Sequence, residues 1–359
     1  MIKNKFSYLE SYFKLLRRKY PPRREAEFNF DIVWARFIEK SPHWIFGLFT
    51  IAFGAQALAQ CHYSKFVEFP FKLENNHVVV QGAVNSHQTS IMIDSGANFS
   101  ALTERGAEKF ELEMIHSNIF VTGIGGETAT NTAMVREIDL DKYHIKKRMD
   151  VLVIMNSDIH FDFMIGSDFL FNQDIEFSFP EKQIRFFRAN NCDSTQLGYW
   201  DGDVSQTPLL QTTPLEHRQF VIVTVNGHNM TAMLDTGAGI STINLAAAAK
   251  AGITPDSPGV KPFVNLSGIG THGATTWLAK FETFTIGDET IKNATIAITN
   301  MWGSALQDSK SNATWRMVHS QPDMILGVDF LKAHRILFSN SQRIFYFSYL
   351  GGPVFDFGN

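Results

Sequence analysis

Short apolar runs rich in β-branched residues alternate with turn-forming residues along most of the chain. Two such runs, "VVVQGAV" at 78–84 and "FVIVTV" at 220–225, are each followed by a two-residue turn and a second apolar run. The turns read Asn-Ser and Asn-Gly, and a two-residue hairpin turn favours residues that tolerate positive φ. The pattern therefore predicts two matched β-hairpins, over 78–97 and 220–238.

These hairpins belong to a longer internal repeat. The other matching pairs are "GIGGET" at 123–128 with "GIGTHG" at 268–273, and "FMIGSDFL" at 163–170 with "MILGVDFL" at 324–331. The matches occur in the same order in each half, so the chain contains two copies of one structural unit. The second copy is longer, and we expect its extra polar residues, at 301–323, to form a loop.

A short helical pattern follows each predicted hairpin, "ALTERGAEKF" at 101–110 and "NLAAAAKAGI" at 244–253. The remaining apolar runs are typical of strands. We therefore predict an all-β fold with minor α content, made of two lobes of similar topology. The predicted divisions are a leader at 1–59, a first lobe at 60–188, a linker at 189–208 and a second lobe at 209–359.

Each repeated hairpin ends its second strand on an aspartate, Asp94 in "MIDSGA" and Asp235 in "MLDTGA". A carboxylate at the end of a buried strand is costly unless it is hydrogen-bonded or neutralised. If the two halves meet face to face, the carboxyl groups lie side by side, and since two adjacent like charges cannot both ionise, they share one proton. One carboxylate then acts as a base for water and the other as an acid, which is the chemistry of amide hydrolysis.

Small residues follow each aspartate. Gly96 and Gly237 lack a Cβ and allow another backbone to come close. Ser95 and Thr236 supply hydroxyl groups that can hydrogen-bond to the opposite loop. We expect these four residues to support the two aspartate loops.

The repeated motifs resemble those of aspartic peptidases of the retropepsin-like group. In that family the motif hydrophobic-hydrophobic-Asp-Thr/Ser-Gly-Ala supplies one catalytic aspartate per lobe, and a later hydrophobic-hydrophobic-Gly segment threads beside it. The resemblance covers roughly residues 66 to 348 and implies the single-chain form. It implies two retropepsin-like or pepsin-like β-barrel lobes related by pseudo-twofold symmetry, with Asp94 and Asp235 as catalytic residues.

In the same family a glycine-rich hairpin forms a flap over the substrate. The flap and substrate-binding residues that the resemblance implies are Gly123, Ile124, Gly125, Gly268, Ile269 and Gly270. The chain departs from the commoner pattern at Ser95, where the family more often has threonine, and in the insertion of its second half. Neither flap segment contains a tyrosine, so a pepsin-like flap interaction is not implied.

Other recurring residues have simpler interpretations. Asp168 and Asp329 each precede a short apolar run, where a carboxylate is typical of a helix cap. The histidines and cysteines show no metal-binding spacing, so we expect no metal and no cofactor. "GIGG" lacks the third glycine and the strand-to-helix setting of a dinucleotide loop.

The first 59 residues differ in composition from the rest. They hold 10 Lys and Arg against 5 Asp and Glu, and their apolar segment ends in Ala57-Leu58-Ala59. A basic stretch, an apolar segment and small residues are typical of a secretory signal peptide. A buried core helix and an uncleaved anchor are the alternatives, and in the last case the charge asymmetry still places the rest of the chain outside the cytoplasm. We expect an exported protein, periplasmic or secreted, which contacts the membrane only through this segment if it is not cleaved.

Without this leader the chain has 22 basic and 31 acidic residues, which argues against nucleic-acid binding. Its two cysteines, Cys61 and Cys192, lie in the part expected to be exported. An oxidising compartment would let them form a disulfide, and two free thiols are the alternative.

These observations favour an exported aspartic endopeptidase that binds an extended peptide or protein substrate as a monomer with an intramolecular pseudo-dimer. A catalytically silent peptide-binding or regulatory module on the same fold is the alternative. A glycosidase with paired carboxylates is a third hypothesis, but its acids would not need matched hydroxyl and glycine neighbours.

Overall fold

The computed structural model describes residues 60–156, 159–210, 213, 215–303 and 321–356. The predicted leader, 1–59, and most of the predicted 301–323 loop lie outside these residues. Within them, no helix is both long enough and apolar enough to cross a membrane.

Strands account for most of the described structure, and we number them in chain order. A ten-stranded sheet contains β2 (Lys72–Glu74), β3 (His77–Val84), β4 (His87–Ile93), β5 (Ala101–Thr103), β6 (Met114–Gly123), β7 (Gly126–Val135), β8 (Ile138–Leu140), β9 (Tyr143–Ile145), β10 (Met149–Ile154) and β11 (Phe163–Ile165). A seven-stranded sheet contains β15 (Phe220–Val225), β16 (His228–Leu234), β17 (Thr242–Asn244), β18 (Lys261–Leu266), β19 (Ala274–Ile286), β20 (Glu289–Thr299) and β21 (Met324–Leu326). One sheet lies in each predicted lobe, and the two-lobed all-β fold is confirmed.

A third sheet joins the two halves of the chain. Its strands are β1 (His62–Pro70), β12 (Asp174–Ser178), β13 (Gln183–Asn190), β14 (Ser205–Pro208), β22 (His334–Ser339) and β23 (Ile344–Tyr349). The pairing of β12 with β22 connects the halves directly, for example through Ile175 and Phe338. Phenylalanines fill its core, and Phe177 and Phe338 are fully buried. The segment predicted as a linker therefore includes the end of β13 and all of β14.

The two predicted hairpins are confirmed. β3 pairs with β4 and β15 pairs with β16, both antiparallel. The turn residues Asn85 and Ser86 have φ of 45° and 68°, and Asn226 and Gly227 have φ of 47° and 79°. Positive φ at both central positions is the geometry that joins strands with the right-handed twist of a sheet.

A later strand threads beside each hairpin. β11 pairs parallel with β4 and antiparallel with β5, while β21 pairs in the same two ways with β16 and β17. This arrangement holds the backbone that leaves β4 and β16, because the amides of Asp94 and Asp235 donate to the carbonyls of Ile165 and Leu326, each at 2.9 Å. Each aspartate therefore has a fixed position at the end of a buried strand.

The described residues include the short helices α1 (Glu104–Lys109), α2 (Ser167–Leu170), α3 (Leu245–Lys250) and α4 (Val328–Leu331). The first predicted helical segment begins later than expected, because residues 101–103 form β5 and the Thr103 side chain caps the helix by accepting from Gly106 N at 3.1 Å. Gly252 follows α3 with φ of 83°, as expected of a glycine that ends a helix.

A disulfide between Cys61 and Cys192 links the residue before β1 to the residues after β13. The two cysteines are separated by 131 residues along the chain. On the chain-entropy account, a crosslink that closes so long a loop stabilises the fold by about 4–5 kcal/mol. It holds β1 at the edge of the sheet that joins the lobes.

Candidate active site

The carboxyl groups of Asp94 and Asp235 accept hydrogen bonds from the loops that follow them. Asp94 Oδ1 accepts from the amides of Gly96 at 2.8 Å and Ala97 at 2.9 Å. Asp235 Oδ1 makes the equivalent bonds to the two amides that follow Thr236, at 2.8 and 3.1 Å. Each loop therefore orients its own carboxyl group with backbone donors, which are not free to rotate away.

Two hydroxyl groups tie the loops to each other. Thr236 Oγ1 accepts from Ser95 N at 3.0 Å and donates to Ile93 O at 2.7 Å. Ser95 Oγ makes the reciprocal pair, accepting from Thr236 N at 2.9 Å and donating to Leu234 O at 2.8 Å. Ser95 and Thr236 are both fully buried. The four bonds fix the aspartate loops across the boundary between the lobes.

The glycines allow this close approach. A Cβ on Gly96 would lie 2.2 Å from the Asp235 carboxyl carbon, and one on Gly237 would lie 2.2 Å from the Asp94 carboxyl carbon. Real Cβ atoms do not approach other heavy atoms this closely, so both positions require glycine. Each aspartate lies against the glycine of the opposite loop, so the two carboxyl groups lie side by side.

Burial and proximity both disfavour two negative charges at this position. Burial is the largest cause of the raised pKa of Asp94, against which its hydrogen bonds act. Burial is also the main cause of the raised pKa of Asp235. The neighbouring Asp94 charge raises the pKa of Asp235 further, well above its usual range. The pair can hold one shared proton at a pH where two separate aspartates would both be ionised.

The glycine-rich segments form the tips of two hairpins that meet. The β6–β7 hairpin turns at Ile124 and Gly125, and the β18–β19 hairpin has a longer tip that includes Ile269 and Gly270. Gly125 N donates to Ile269 O at 2.9 Å, and Gly125 and Gly270 form a parallel bridge. Ile269 also packs in an apolar cluster with Ala97 of the Asp94 loop. The six predicted flap residues therefore lie together, beside the first aspartate loop.

The aspartyl protease family matches this chain over residues 80–169 and 221–330, and each segment contains one of the two aspartates. The chain belongs to this family. Among solved structures, an aspartic proteinase from Irpex lacteus matches with 14% identity, over 79% of this chain and 97% of that one, with a TM-score of 0.47. No curated protein sequence matches the chain.

The N-cap residues of α2 and α4 are Gly166 and Gly327, so the interpretation of Asp168 and Asp329 as helix caps was wrong. Asp168 Oδ1 accepts from Ser100 N at 2.9 Å and Ser100 Oγ at 2.8 Å. Asp329 Oδ1 makes the same two bonds to Ser241, at 2.8 and 2.6 Å. Each carboxyl group thus fixes the chain that returns from an aspartate loop to its lobe, a long-range contact that local sequence does not reveal.

Asp329 is the more deeply buried of these two residues. Burial raises the pKa of Asp329 to about 6, although three hydrogen bonds to its Oδ1 act in the opposite direction. Its Oδ2 has no hydrogen-bond partner among the described residues, so this oxygen is the one available to carry a proton. Burial also raises the pKa of Asp168, which is less enclosed.

One segment that contacts the site was not predicted from the sequence. Asn98, four residues after Asp94, donates to Leu215 O at 2.9 Å and accepts from His217 N at 2.7 Å. The contact brings Arg218 of the second lobe to the first aspartate loop, and the Arg218 charge lowers the pKa of Asp94 against the larger effect of burial. Alignment of the two halves on their aspartates would have drawn attention to Arg218, because its counterpart is His77.

Within the described residues, no group of three or more His, Cys, Asp or Glu side chains is arranged to hold a metal ion. The carboxyl groups of the two aspartates accept hydrogen bonds from the backbone amides of their own loops.

Proposed function

We propose that this aspartyl protease is an exported endopeptidase that hydrolyses peptide bonds with a water molecule activated between Asp94 and Asp235. The observation that carries the proposal is the reciprocal arrangement of the two aspartates. Each carboxyl group is oriented by its own loop and lies against the opposite glycine, and the charge of Asp94 acts on Asp235. A passive binding surface has no need for this costly pair of buried acids.

The proposed reaction uses one ionised and one protonated carboxyl group. The carboxylate accepts a proton from water as the water oxygen attacks the peptide carbonyl carbon, while the carboxylic acid donates its proton to the carbonyl oxygen. The resulting tetrahedral diol collapses when the leaving amine takes up the proton that the first carboxyl group gained from water, while a hydroxyl group of the diol returns a proton to the second carboxylate. A carboxylic acid and an amine leave, and the dyad again holds one proton. The proton count is balanced, and no covalent bond to the enzyme is needed.

The two hairpin tips support an extended peptide as the substrate. Their backbone bridge at Gly125 and Gly270 joins the two lobes beside the first aspartate loop. A peptide strand can pair with hairpin edges through its main chain, while apolar pockets select its side chains. Peptides and unfolded segments of proteins fit this mode, because their backbone groups are free to pair.

Export is supported by the disulfide between Cys61 and Cys192, since such crosslinks persist in oxidising compartments. We propose a periplasmic or secreted location, with a membrane tether if the leader is retained. Fractionation of the producing cells and N-terminal sequencing of the recovered protein test this part. Full-length protein in the cytoplasm with reduced thiols would contradict it.

Incubation of the full chain with a peptide library tests the proposed activity. We expect internal cleavage of the peptides, inhibition by a statine-type peptide, and no cleavage by the double variant Asp94→Asn/Asp235→Asn. Peptide binding without cleavage by the unaltered chain would contradict the proposal and favour a silent binding module.

A further inference from the structure

The residues that precede the two hairpins break the symmetry of the repeat. Ser95 and Thr236 are 141 residues apart, as are Asp94 and Asp235. The same offset relates Glu216-His217-Arg218 to Asn75-Asn76-His77. An acid and a permanent cation in the second lobe therefore replace an amide and an imidazole in the first.

Each of these triplets lies against the aspartate loop of the other lobe. Asn98 of the first loop bonds to the backbone on both sides of Glu216. Gly239 corresponds to Asn98 in the second aspartate loop. It lies close to the first-lobe triplet, since a Cβ at Gly239 would lie 3.3 Å from the Asn76 side chain. Thus Arg218 belongs to the surroundings of Asp94, and His77 to those of Asp235.

The guanidinium of Arg218 is held in one orientation. Its Nε and Nη2 donate to the two carboxylate oxygens of Glu216, each at 2.7 Å. It lies over the Phe220 ring, 5.3 Å from the centroid, and its Nη1 is 3.5 Å from Met233 Sδ. Arg218 is 8% exposed and Glu216 is 7% exposed. A bidentate pair fixes the direction of a guanidinium and so makes its field a constant feature of the site.

We infer that Arg218 is a positioning residue that polarises the aspartate pair, so that Asp94 is the ionised base and Asp235 holds the shared proton. Glu216 fixes Arg218 in place, and the uncharged triplet of the first lobe offers no equal counterpart beside Asp235. The pseudo-symmetric pair thereby has two distinct roles before a substrate binds.

The effects of neighbouring charges on the two aspartates agree with Asp94 as the base and Asp235 as the acid. Arg218 lowers the pKa of Asp94, whereas the Asp94 charge is the second cause, after burial, of the raised pKa of Asp235. The described segments packed around the pair carry further titratable or charged groups, which include His77, Asp168, Glu216, His217 and Asp329, with Glu127 and His272 at the hairpin tips. Asp168 and Asp329 bond to serines beyond the loops, and Glu216 is paired with Arg218, so Arg218 is the group that distinguishes the two sides.

The assignment of a base and an acid rests on the proposed function, but the position of the proton can be measured without turnover. Carboxyl ¹³C signals of the full chain, assigned with Asp94→Asn and Asp235→Asn, report which aspartate ionises first. We expect Asp94 to ionise first in the unaltered chain. If Asp235 ionises first, the inference is overturned, whether or not the protein cleaves peptides.

The double variant Glu216→Gln/Arg218→Met tests the cause, because it removes both charges and leaves no unpaired buried ion. We expect the Asp94 titration to shift to higher pH, together with the acidic limb of the kcat/KM profile. Arg218→Lys retains the positive charge, so its Asp94 titration and the acidic limb of its kcat/KM profile should lie close to those of the unaltered chain. Arg105→Met is the matched control, because it removes an arginine charge from an exposed pair with Asp162.

The outcomes separate the two hypotheses. An unchanged Asp94 titration in the double variant, or an equal shift in Arg105→Met, overturns the role of Arg218. A chain that cleaves no peptide contradicts the proposed function, while its carboxyl titration still decides the Arg218 inference.

Discussion

The two lobes match closely at the aspartate loops and differ in the segments around them. Ser95 and Thr236 make reciprocal bonds, and each aspartate accepts from the two corresponding amides of its loop. Outside this centre, one hairpin tip is a two-residue turn and the other a longer loop, and the Glu216–Arg218 ion pair before the second hairpin is replaced by Asn75 and His77 before the first. Residues that must bond to their own counterparts are restricted by symmetry, whereas the peripheral residues are free to differ.

Replacement of either aspartate should have the largest effect on activity. We expect Asp94→Asn and Asp235→Asn each to lower kcat/KM by roughly 10⁴-fold or more, since the two residues act as a unit. Steady-state cleavage of a peptide substrate measures this, and thermal unfolding checks that each variant folds. Substantial activity in only one of the variants would show that the lobes do not contribute equally.

Alanine at either loop glycine should have the next largest effect. Gly96→Ala and Gly237→Ala each place a Cβ within 2.2 Å of the opposite carboxyl carbon. A displacement of the carboxyl group by about 1 Å is expected to lower kcat/KM about 100-fold. Gly239→Ala is the control, because its Cβ would approach no atom closer than Asn76 Cβ at 3.3 Å and the Asn75 carbonyl oxygen at 3.4 Å. Equal activity of Gly237→Ala and Gly239→Ala would contradict the close approach of the loops.

The buried acids behind the loops should differ in their effect on pH-dependent stability. The pKa of Asp329 is raised from 3.8 to about 6, so the folded state binds its proton more tightly than the unfolded state. The contribution of this proton to the free energy of unfolding is fully present below pH 3.8 and is lost as the pH rises through about 6. The free energy of unfolding changes by at most about 3 kcal/mol over this range.

Denaturant unfolding across this pH range measures the contribution of Asp329. Asp329→Asn should weaken the dependence of the free energy of unfolding on pH. Asp168→Asn should alter this dependence less, because Asp168 is less buried. An equal change in the two variants would contradict this difference between the lobes.

The hydroxyl bridge between the loops should have the smallest effect. Thr236→Val keeps the side-chain shape but leaves Ser95 N and Ile93 O without their partner. We expect the free energy of unfolding to fall by about 1–3 kcal/mol, the cost of a buried unsatisfied polar group. Urea unfolding measures the loss, and Thr236→Ser, which keeps the hydroxyl, should be close to the unaltered protein. A similar loss in Thr236→Ser would assign the effect to the methyl group instead.

The sequence was most informative where local pattern and repeat agree. The two hairpins followed from their turn residues and β-branched runs, and the aspartate loops from the repeated Asp-Ser/Thr-Gly-Ala motif. The proximity of Asp94 and Asp235 was inferred from the repeat, because two copies of a half-site suggest that the halves face each other.

Features that depend on long-range contacts were not predictable in this way. Asp168 and Asp329 have the sequence setting of helix caps but bond to serines more than sixty residues away. Residues 205–208 read as linker because only pairing with β23 makes them a strand. The Glu216–Arg218 pair gave no local motif, and its meaning depends on the packing of one lobe against the other.

The pH dependence of kcat/KM tests the central claim, that Asp94 and Asp235 share one proton and act together, most directly. Because burial and mutual repulsion hold the last proton on the pair, activity should be highest in mildly acidic solution and fall as that proton is lost at higher pH. A profile that stays flat into alkaline solution would contradict the account.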